Sequence, residues 1–354
     1  MSFCVVGSQI TILFQIRKVL KVTEERLIKL EFQTKILLLS FAITVVFGMI
    51  IVPILRKLKI GQIERKDGPE SHLKKQGTPT MGGIIIMLGI IIVTIGAYIY
   101  YRTKDVALAQ NLLPILGLTI GFGIIGFIDD FKKLVLKNTD GLKPSLKMLG
   151  LLLVSVLFVL YLIYGLNLGT EIYIPILKQY IKIPLFVYIP FAILVILATT
   201  NAVNLTDGVD GLSSSVCTII ITALTVIATK FGINEITVFG ATVIGAVLGF
   251  LMFNIHPAKV MMGDTGSLFL GGVISGISLY LRMPLILLVI AFIPILETIS
   301  VILQVASFKM TGKRIFKMAP IHHHFELCGW KENHVVMIFS VITLMVSIIG
   351  LQIV

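Results

Sequence analysis

The chain has 354 residues, of which 56% are hydrophobic and only 14% charged, and its mean hydropathy is +1.01. Soluble domains carry about 25% charged residues, so the composition excludes a soluble globular protein and predicts an all-α, polytopic integral membrane protein. The net charge of +12 does not point to nucleic acid, because the basic residues fall between apolar spans, where lipid headgroups and membrane orientation account for them.

Residues 1–34 read as an N-terminal extension of unknown role. Their apolar run near Ile10–Ile16 is too short to span, and basic charge follows the run instead of preceding it, unlike a signal peptide. Residues 35–354 read as a single transmembrane domain. Apolar segments of about 20 residues can each cross a bilayer as a helix. Hydropathy with Pro, Gly and charge as breakers predicts ten of them: 35–55, 82–101, 111–128, 146–166, 184–200, 212–230, 236–254, 264–281, 284–304 and 335–353. Cys4, Cys217 and Cys328 are scattered, with no disulfide or metal spacing.

Loop charge orients these spans. Segments 56–81, 129–145, 201–211, 255–263 and 305–334 lie on one side and hold 17 Lys and Arg, against 5 in the opposite connections. The basic side faces the cytoplasm by the positive-inside rule, with both termini outward. Every polar motif below then falls on that side.

Taken in chain order, Gly77-Thr78-Pro79-Thr80-Met81-Gly82-Gly83, preceded by Lys74 and Lys75, opens the second span. Gly121–Gly126 matches GxGxxG, but it lies inside a membrane helix, where small residues serve packing and not nucleotide binding. Asp129 and Asp130 end the third span, ahead of Lys132 and Lys133. Adjacent carboxylates repel and oppose the helix dipole, so they call for a cation or a ligand.

Asn201, Asn204, Asp207 and Asp210, with Gly208 and Gly211, make the connection after the fifth span far more polar than a turn needs. Amides and carboxylates can read a base or ribose hydroxyls, and glycine lets backbone approach a ligand. Asn254, His256 and Lys259 precede Met262-Gly263-Asp264-Thr265-Gly266-Ser267. Asp264 is expected either to N-cap the eighth helix or to hold a metal–phosphate pair at that helix start. Glu297 is an intramembrane acid of no assigned role. His322, His323 and His324 lie in the last cytoplasmic loop; consecutive residues point different ways, so imidazoles that contact pyrophosphate or organise the loop fit better than a zinc site. A cation transporter would also place acids in spans, but here they gather at one rim.

Five stretches together resemble the polyprenyl-phosphate N-acetylhexosamine-1-phosphate transferase superfamily: GTPTMGG (77–83), GFIDDFKK (126–133), NAVNLTDGVDGL (201–212), FNIHPAKVMMGDTGS (253–267) and GKRIFKMAPIHHHFE (312–326). The HHHFE loop is similar to that of its bacterial phospho-N-acetylmuramoyl-pentapeptide-transferase branch. The alternative within the superfamily is a polyprenyl-phosphate GlcNAc-1-phosphate transferase.

The resemblance implies a homodimer in the bacterial cytoplasmic (inner) membrane with a cytoplasmic active-site cleft. It implies transfer of phospho-MurNAc-pentapeptide from UDP-MurNAc-pentapeptide to undecaprenyl phosphate, giving lipid I and UMP for peptidoglycan. By motif position, Asp264 would be the Mg²⁺ ligand, with Asp129 and Asp130 beside the lipid phosphate and the metal. Lys75, Thr80, Asn201, Asn204, Asp207, Gly208, Asp210 and Asn254 would bind the nucleotide side, and Lys133 with the three His would meet pyrophosphate or sugar. Ser145 stands where many members carry a basic residue, so Lys143 or Lys147 would have to supply that contact.

The chemistry suits the residues. A phosphate monoester has a second pKa near 6, so the attacking group needs little help from a base. The larger demand is neutralising charge as two anions meet, which Mg²⁺ and the basic residues meet together.

Overall fold

The computed structural model describes residues 31–58, 77–134 and 141–354. Lys74, Lys75 and all but the last four residues of the predicted extension lie outside them. The helices are α1 (Glu31–Lys57), α2 (Gly83–Arg102), α3 (Val106–Leu134), α4 (Pro144–Leu160), α5 (Leu185–Thr206), α6 (Leu212–Lys230), α7 (Asn234–Asn254), α8 (Gly263–Tyr280), α9 (Phe292–Thr311), α10 (Ile321–Leu327) and α11 (Glu332–Ile353). Among the described residues, nine helices are long and apolar enough to cross a membrane: α1 to α7, α9 and α11. The polytopic all-α prediction holds.

The eighth predicted span, α8, is the one of the ten outside that set, for a physical reason. Its residues from Thr265 to Tyr280 are all buried, and it packs against α2, α3, α5 and α6. A helix that lipid never touches can be rich in glycine and serine. Those small residues let its neighbours close in. A methyl group at Gly83 of α2 would strike the Gly266 backbone, and one at Gly126 of α3 would strike the Asp264 carbonyl. Outer helices instead expose apolar side chains such as Leu38, Leu157 and Met345.

Several boundaries depart from the sequence reading. Helix α3 continues to Leu134, so Asp129 and Asp130 lie within it. Helix α5 continues to Thr206 because its polar residues bond back into it: Asn201 Nδ2 donates to the Leu197 carbonyl (2.7 Å) and Thr206 Oγ1 to that of Ala202 (2.8 Å). The ninth span starts at Phe292, after a 3-10 turn at Pro284–Ile286 and one helical turn at Leu287–Ile290.

Among the described residues, one small sheet interrupts the helices. Strand β1 (Glu171–Ile174) pairs antiparallel with β2 (Gln179–Lys182), Glu171 opposite Lys182. It is pinned by Arg282, whose Nη1 lies 3.0 Å from Glu171 Oε2.

Candidate active site

The polar motifs converge at the start of α8. Two extended segments bring α2 to it: Met261 N–H donates to the Pro79 carbonyl (2.7 Å), Gly82 N–H to that of Met261 (2.9 Å) and Gly83 N–H to that of Met262 (2.9 Å). Thr80 is buried in this joint.

Helix α8 has no side-chain cap of its own. Asp130 supplies one from α3. Its Oδ1 accepts the Asp264 N–H (3.1 Å), and its Oδ2 accepts the Thr265 N–H (2.8 Å) and hydroxyl (2.6 Å). The first of the two expectations for Asp264, that it caps the helix itself, is thereby corrected: a residue of the first turn points away from its own N–H groups, and Asp130 takes the role. Asp264 is left facing the cleft.

There Lys133 Nζ donates to Asp129 Oδ2 (2.7 Å) and Asp264 Oδ2 (2.9 Å). Lys147 Nζ donates to the same two oxygens, at 3.3 and 2.9 Å. Asp264 Oδ1 accepts from Asn204 Nδ2 (2.8 Å), which also donates to Ser267 Oγ (2.8 Å). The other oxygen of Asp129 accepts the Leu142 N–H at 2.7 Å. That contact needs the turn at Gly141, where φ is +63° and a Cβ would collide with the carboxylate. So α3, α4, α5 and α8 deliver two carboxylates, two ammonium groups and an amide to one point.

The donor set suits a hard cation. Asp129 and Asp264 offer oxygens already gripped by cations, and magnesium prefers oxygen ligands.

Beside this cluster lies the end of α5. Burial, then the charges of Asp264 and Asp130, push the Asp207 carboxyl up to about 8. Asp210 is buried and built into a second cluster. Its Oδ2 accepts the Ala258 N–H (3.0 Å) and lies 3.0 Å from His256 Nδ1. Glu332, at the start of α11, accepts the Asp210 N–H on Oε1 (3.0 Å) and meets the same His256 nitrogen through Oε2 (3.0 Å). These three residues form a possible metal-holding group among the described residues. One shared imidazole nitrogen, though, already links the two carboxylates. Asn254 is buried and serves structure here: Oδ1 accepts from Ser214 (2.7 Å) and Nδ2 donates to the Val260 carbonyl (3.0 Å). Asn201 is occupied by its own helix.

The three histidines fall on α10, not in an irregular loop: the His322 and His323 rings touch, with centroids 4.1 Å apart, while each of the three meets a different polar group. His322 is buried, its Nδ1 3.0 Å from Glu297 Oε1, and its Nε2 abuts Gly208 closely enough to forbid a Cβ there. His323 Nδ1 pairs with Glu326 Oε2 (2.8 Å). His324 Nδ1 accepts the Lys317 N–H (3.1 Å). Of the site residues, Glu332 has no counterpart among those singled out from the sequence and carries no signal, being one acid near a helix start. Lys147 is one of the two candidates for the contact missing at Ser145, and His256, Thr265 and Ser267 lie within the motifs around Asn254 and Asp264.

Comparison with known proteins adds a family pattern. Residues 112–282 match a model described as glycosyl transferase family 4, and residues 75–87 match phospho-N-acetylmuramoyl-pentapeptide-transferase signature 1. Proteins named phospho-N-acetylmuramoyl-pentapeptide-transferase are similar over nearly the whole length. That of Clostridium botulinum (strain Alaska E43 / Type E3) is 49% identical over 314 residues, covering 89% of this chain and 94% of its own. That of Acetivibrio thermocellus is 47% identical over 317 residues, 89% and 93% respectively. That of Halalkalibacterium halodurans is 46% identical over 315 residues, 89% and 95%.

Proposed function

The chain belongs to the phospho-N-acetylmuramoyl-pentapeptide-transferase family, and from that premise we propose how its residues carry the transfer. The enzyme moves phospho-MurNAc-pentapeptide from its UDP carrier to a polyprenyl phosphate, releasing UMP. The observation that carries the mechanism is the meeting of Asp129, Lys133, Lys147, Asn204 and Asp264 at one point.

Magnesium would be held by Asp264 with Asp129 beside it, and would supply charge neutralisation at the phosphoryl oxygens. Lys133 and Lys147, which bridge those carboxylates now, turn toward the phosphates when substrates bind. Asn204 holds Asp264 in orientation throughout. Asp130 fixes the first turn of α8 and so the position of Asp264. Asp207, Gly208 and Asp210 line the nucleotide side, with Thr80, Asn201 and Asn254 near it; Lys75, outside the described residues, is assigned to the same side by its motif alone. His322, His323 and His324 close the pyrophosphate end.

Direct attack by the lipid phosphate is the simplest course. Both Asp129 and Asp130 are occupied by donors, which weakens either as a nucleophile. An apolar cavity of about 240 Å³, lined by Val195, Ala202 and Val203 of α5 and Pro294, Ile295 and Ile299 of α9, suits part of the polyprenyl chain. A homodimer in the cytoplasmic membrane, with this site facing the cytoplasm and residues 35–354 as its catalytic unit, completes the reading.

The test is UMP release with undecaprenyl phosphate and either UDP-MurNAc-pentapeptide or UDP-GlcNAc, with and without magnesium. Turnover of the first donor alone, dependent on magnesium and lost in Asp264→Ala, is expected. Turnover of UDP-GlcNAc alone overturns the proposal. UMP released without lipid phosphate, stoichiometric with enzyme, overturns direct attack.

A further inference from the structure

The rim opposite the catalytic cleft carries a second polar cavity. Helices α3 and α7 begin there and α6 and α8 end there, at the ends of α3 and α8 far from Asp129 and Asp264. With strand β2 they line a cavity of about 360 Å³, a volume within the range of ligand sites. Its chemistry rests on Asn111, Glu235, Tyr280, Tyr180, Phe231 and Arg282. None of these takes part in the reaction described above.

One part of the cavity is anionic. Glu235 is half-buried in the first turn of α7, where the helix dipole favours an acid. The dipole does not explain why two other helices converge on it. Oε1 accepts the Tyr280 hydroxyl of α8 (2.7 Å) and Asn111 Nδ2 of α3 (3.3 Å). Among the described residues Oε2 has no hydrogen-bond partner, and no cation reaches the carboxylate. Two neutral donors orient a carboxylate without cancelling its charge, and a charge drawn out of water calls for an opposite partner. Set among the rings of Tyr180, Phe231 and Tyr280, this one suits an ammonium group.

Another part is cationic. Arg282 pairs with Glu171 through Nη1 alone (3.0 Å), and its guanidinium carbon lies 4.9 Å from the Tyr180 ring centroid. The N–H groups on Nη2 and Nε have no partner among the described residues, and a guanidinium presents such donors as a fork to phosphate oxygens. Beside the cavity, the end of α4 and the turn Tyr161–Gly165 expose Leu157, Tyr161 and Tyr164. This apolar surface leads to Gly165 at the cavity's edge. An ammonium site, a phosphate site and an apolar approach fit one class of molecule, an aminophospholipid.

We propose that this cavity binds the phosphoethanolamine headgroup of a lipid from the leaflet opposite the catalytic cleft. The primary ammonium donates to the free oxygen of Glu235, and the phosphate accepts from Arg282. A primary ammonium carries three N–H donors, whereas a choline group carries none and a phosphatidylglycerol headgroup brings no cation. The inference goes beyond the transferase reading and does not depend on it.

Two measurements on the full chain in detergent test it. In the first, native mass spectrometry follows binding of dioleoyl phosphatidylethanolamine, phosphatidylcholine and phosphatidylglycerol. The first lipid should bind about tenfold more tightly than the others, the scale of one hydrogen bond to a charged group. Glu235→Gln and Arg282→Gln should each erase that preference, with thermal midpoints showing that the variants fold. Equal affinity for the three lipids, or a preference that survives both substitutions, overturns the proposal. The second measurement uses wild type alone, and so stands if a variant fails to fold. Phosphatidylethanolamine with a diazirine in its acyl chain is photocrosslinked and the adducts mapped. They should concentrate on residues 157–168 and be competed by unlabelled phosphatidylethanolamine, but not by glycerophosphoethanolamine at the same concentration. Adducts spread evenly over the exposed flanks of α1 and α11 overturn the site. Equal competition by the chain-free headgroup overturns a lipid as its occupant.

Discussion

Lys147 and Asp264 meet at 2.9 Å, although one lies in the first turn of α4 and the other in the first turn of α8. The ammonium therefore stands where a metal ion or a substrate phosphate would be drawn, and it carries part of the charge that two approaching anions require. Lys147→Met should lower kcat by about 10²-fold, the effect of removing one preorganised charge contact. Lys147→Arg should recover part of the loss. UMP release under saturating donor and magnesium reads both.

Asp130 reaches the same helix by its backbone. Losing three donors' common acceptor in a buried place costs about 1–3 kcal/mol per stranded group. Asp130→Ala should lower the thermal midpoint in detergent by several degrees and activity with it. Asp129→Ala should impair turnover with a smaller thermal change. Paired melting curves and assays separate the two adjacent aspartates; equal thermal losses would contradict the capping assignment.

Glu332 holds the Asp210 backbone and His256 together, remote in sequence from the acids of α3 and α8. Its loss should loosen the nucleotide side more than the reacting groups. Glu332→Ala is expected to raise KM for the nucleotide donor about tenfold, equivalent to about 1.4 kcal/mol, while kcat stays within about threefold. Steady-state kinetics decides, and an equal fall in kcat would move Glu332 into the chemistry.

The Asp207 carboxyl is raised to about 8 by burial and by the charges of Asp264 and Asp130. In the folded protein it keeps its proton while the unfolded chain, titrating near 3.8, has lost it. The folded state thus binds more protons between those values, and stability falls as pH rises through that window. Metal-free wild type should lose thermal stability from pH 5 to pH 8, and Asp207→Asn should show a shallower decline. Identical slopes would refute the assignment.

Much of this was readable in the sequence, and the exceptions are physical. The apolar segments marked the spans because lipid leaves a helix few other compositions, and the polar motifs marked one face. Asn201 to Thr206 looked like a loop because polarity ends a hydropathy window, whereas bonds back to Leu197 and Ala202 continue the helix. The hairpin at 171–182 was hidden because its isoleucines and tyrosines continue an apolar stretch. Roles for Asp130 and Glu332 depend on which distant backbone or ring each one meets, and hydropathy holds no record of that.

The glycine seams around α8 have a consequence for altering this enzyme. Gly83 and Gly126 abut the residues flanking and including Asp264, so steric fit and reactivity are written into the same few positions. Stabilising substitutions should therefore be sought on the lipid-exposed flanks of α1 and α4, where side chains can vary without displacing a carboxylate. At the inner seam, even one added methyl group would shift the reaction centre.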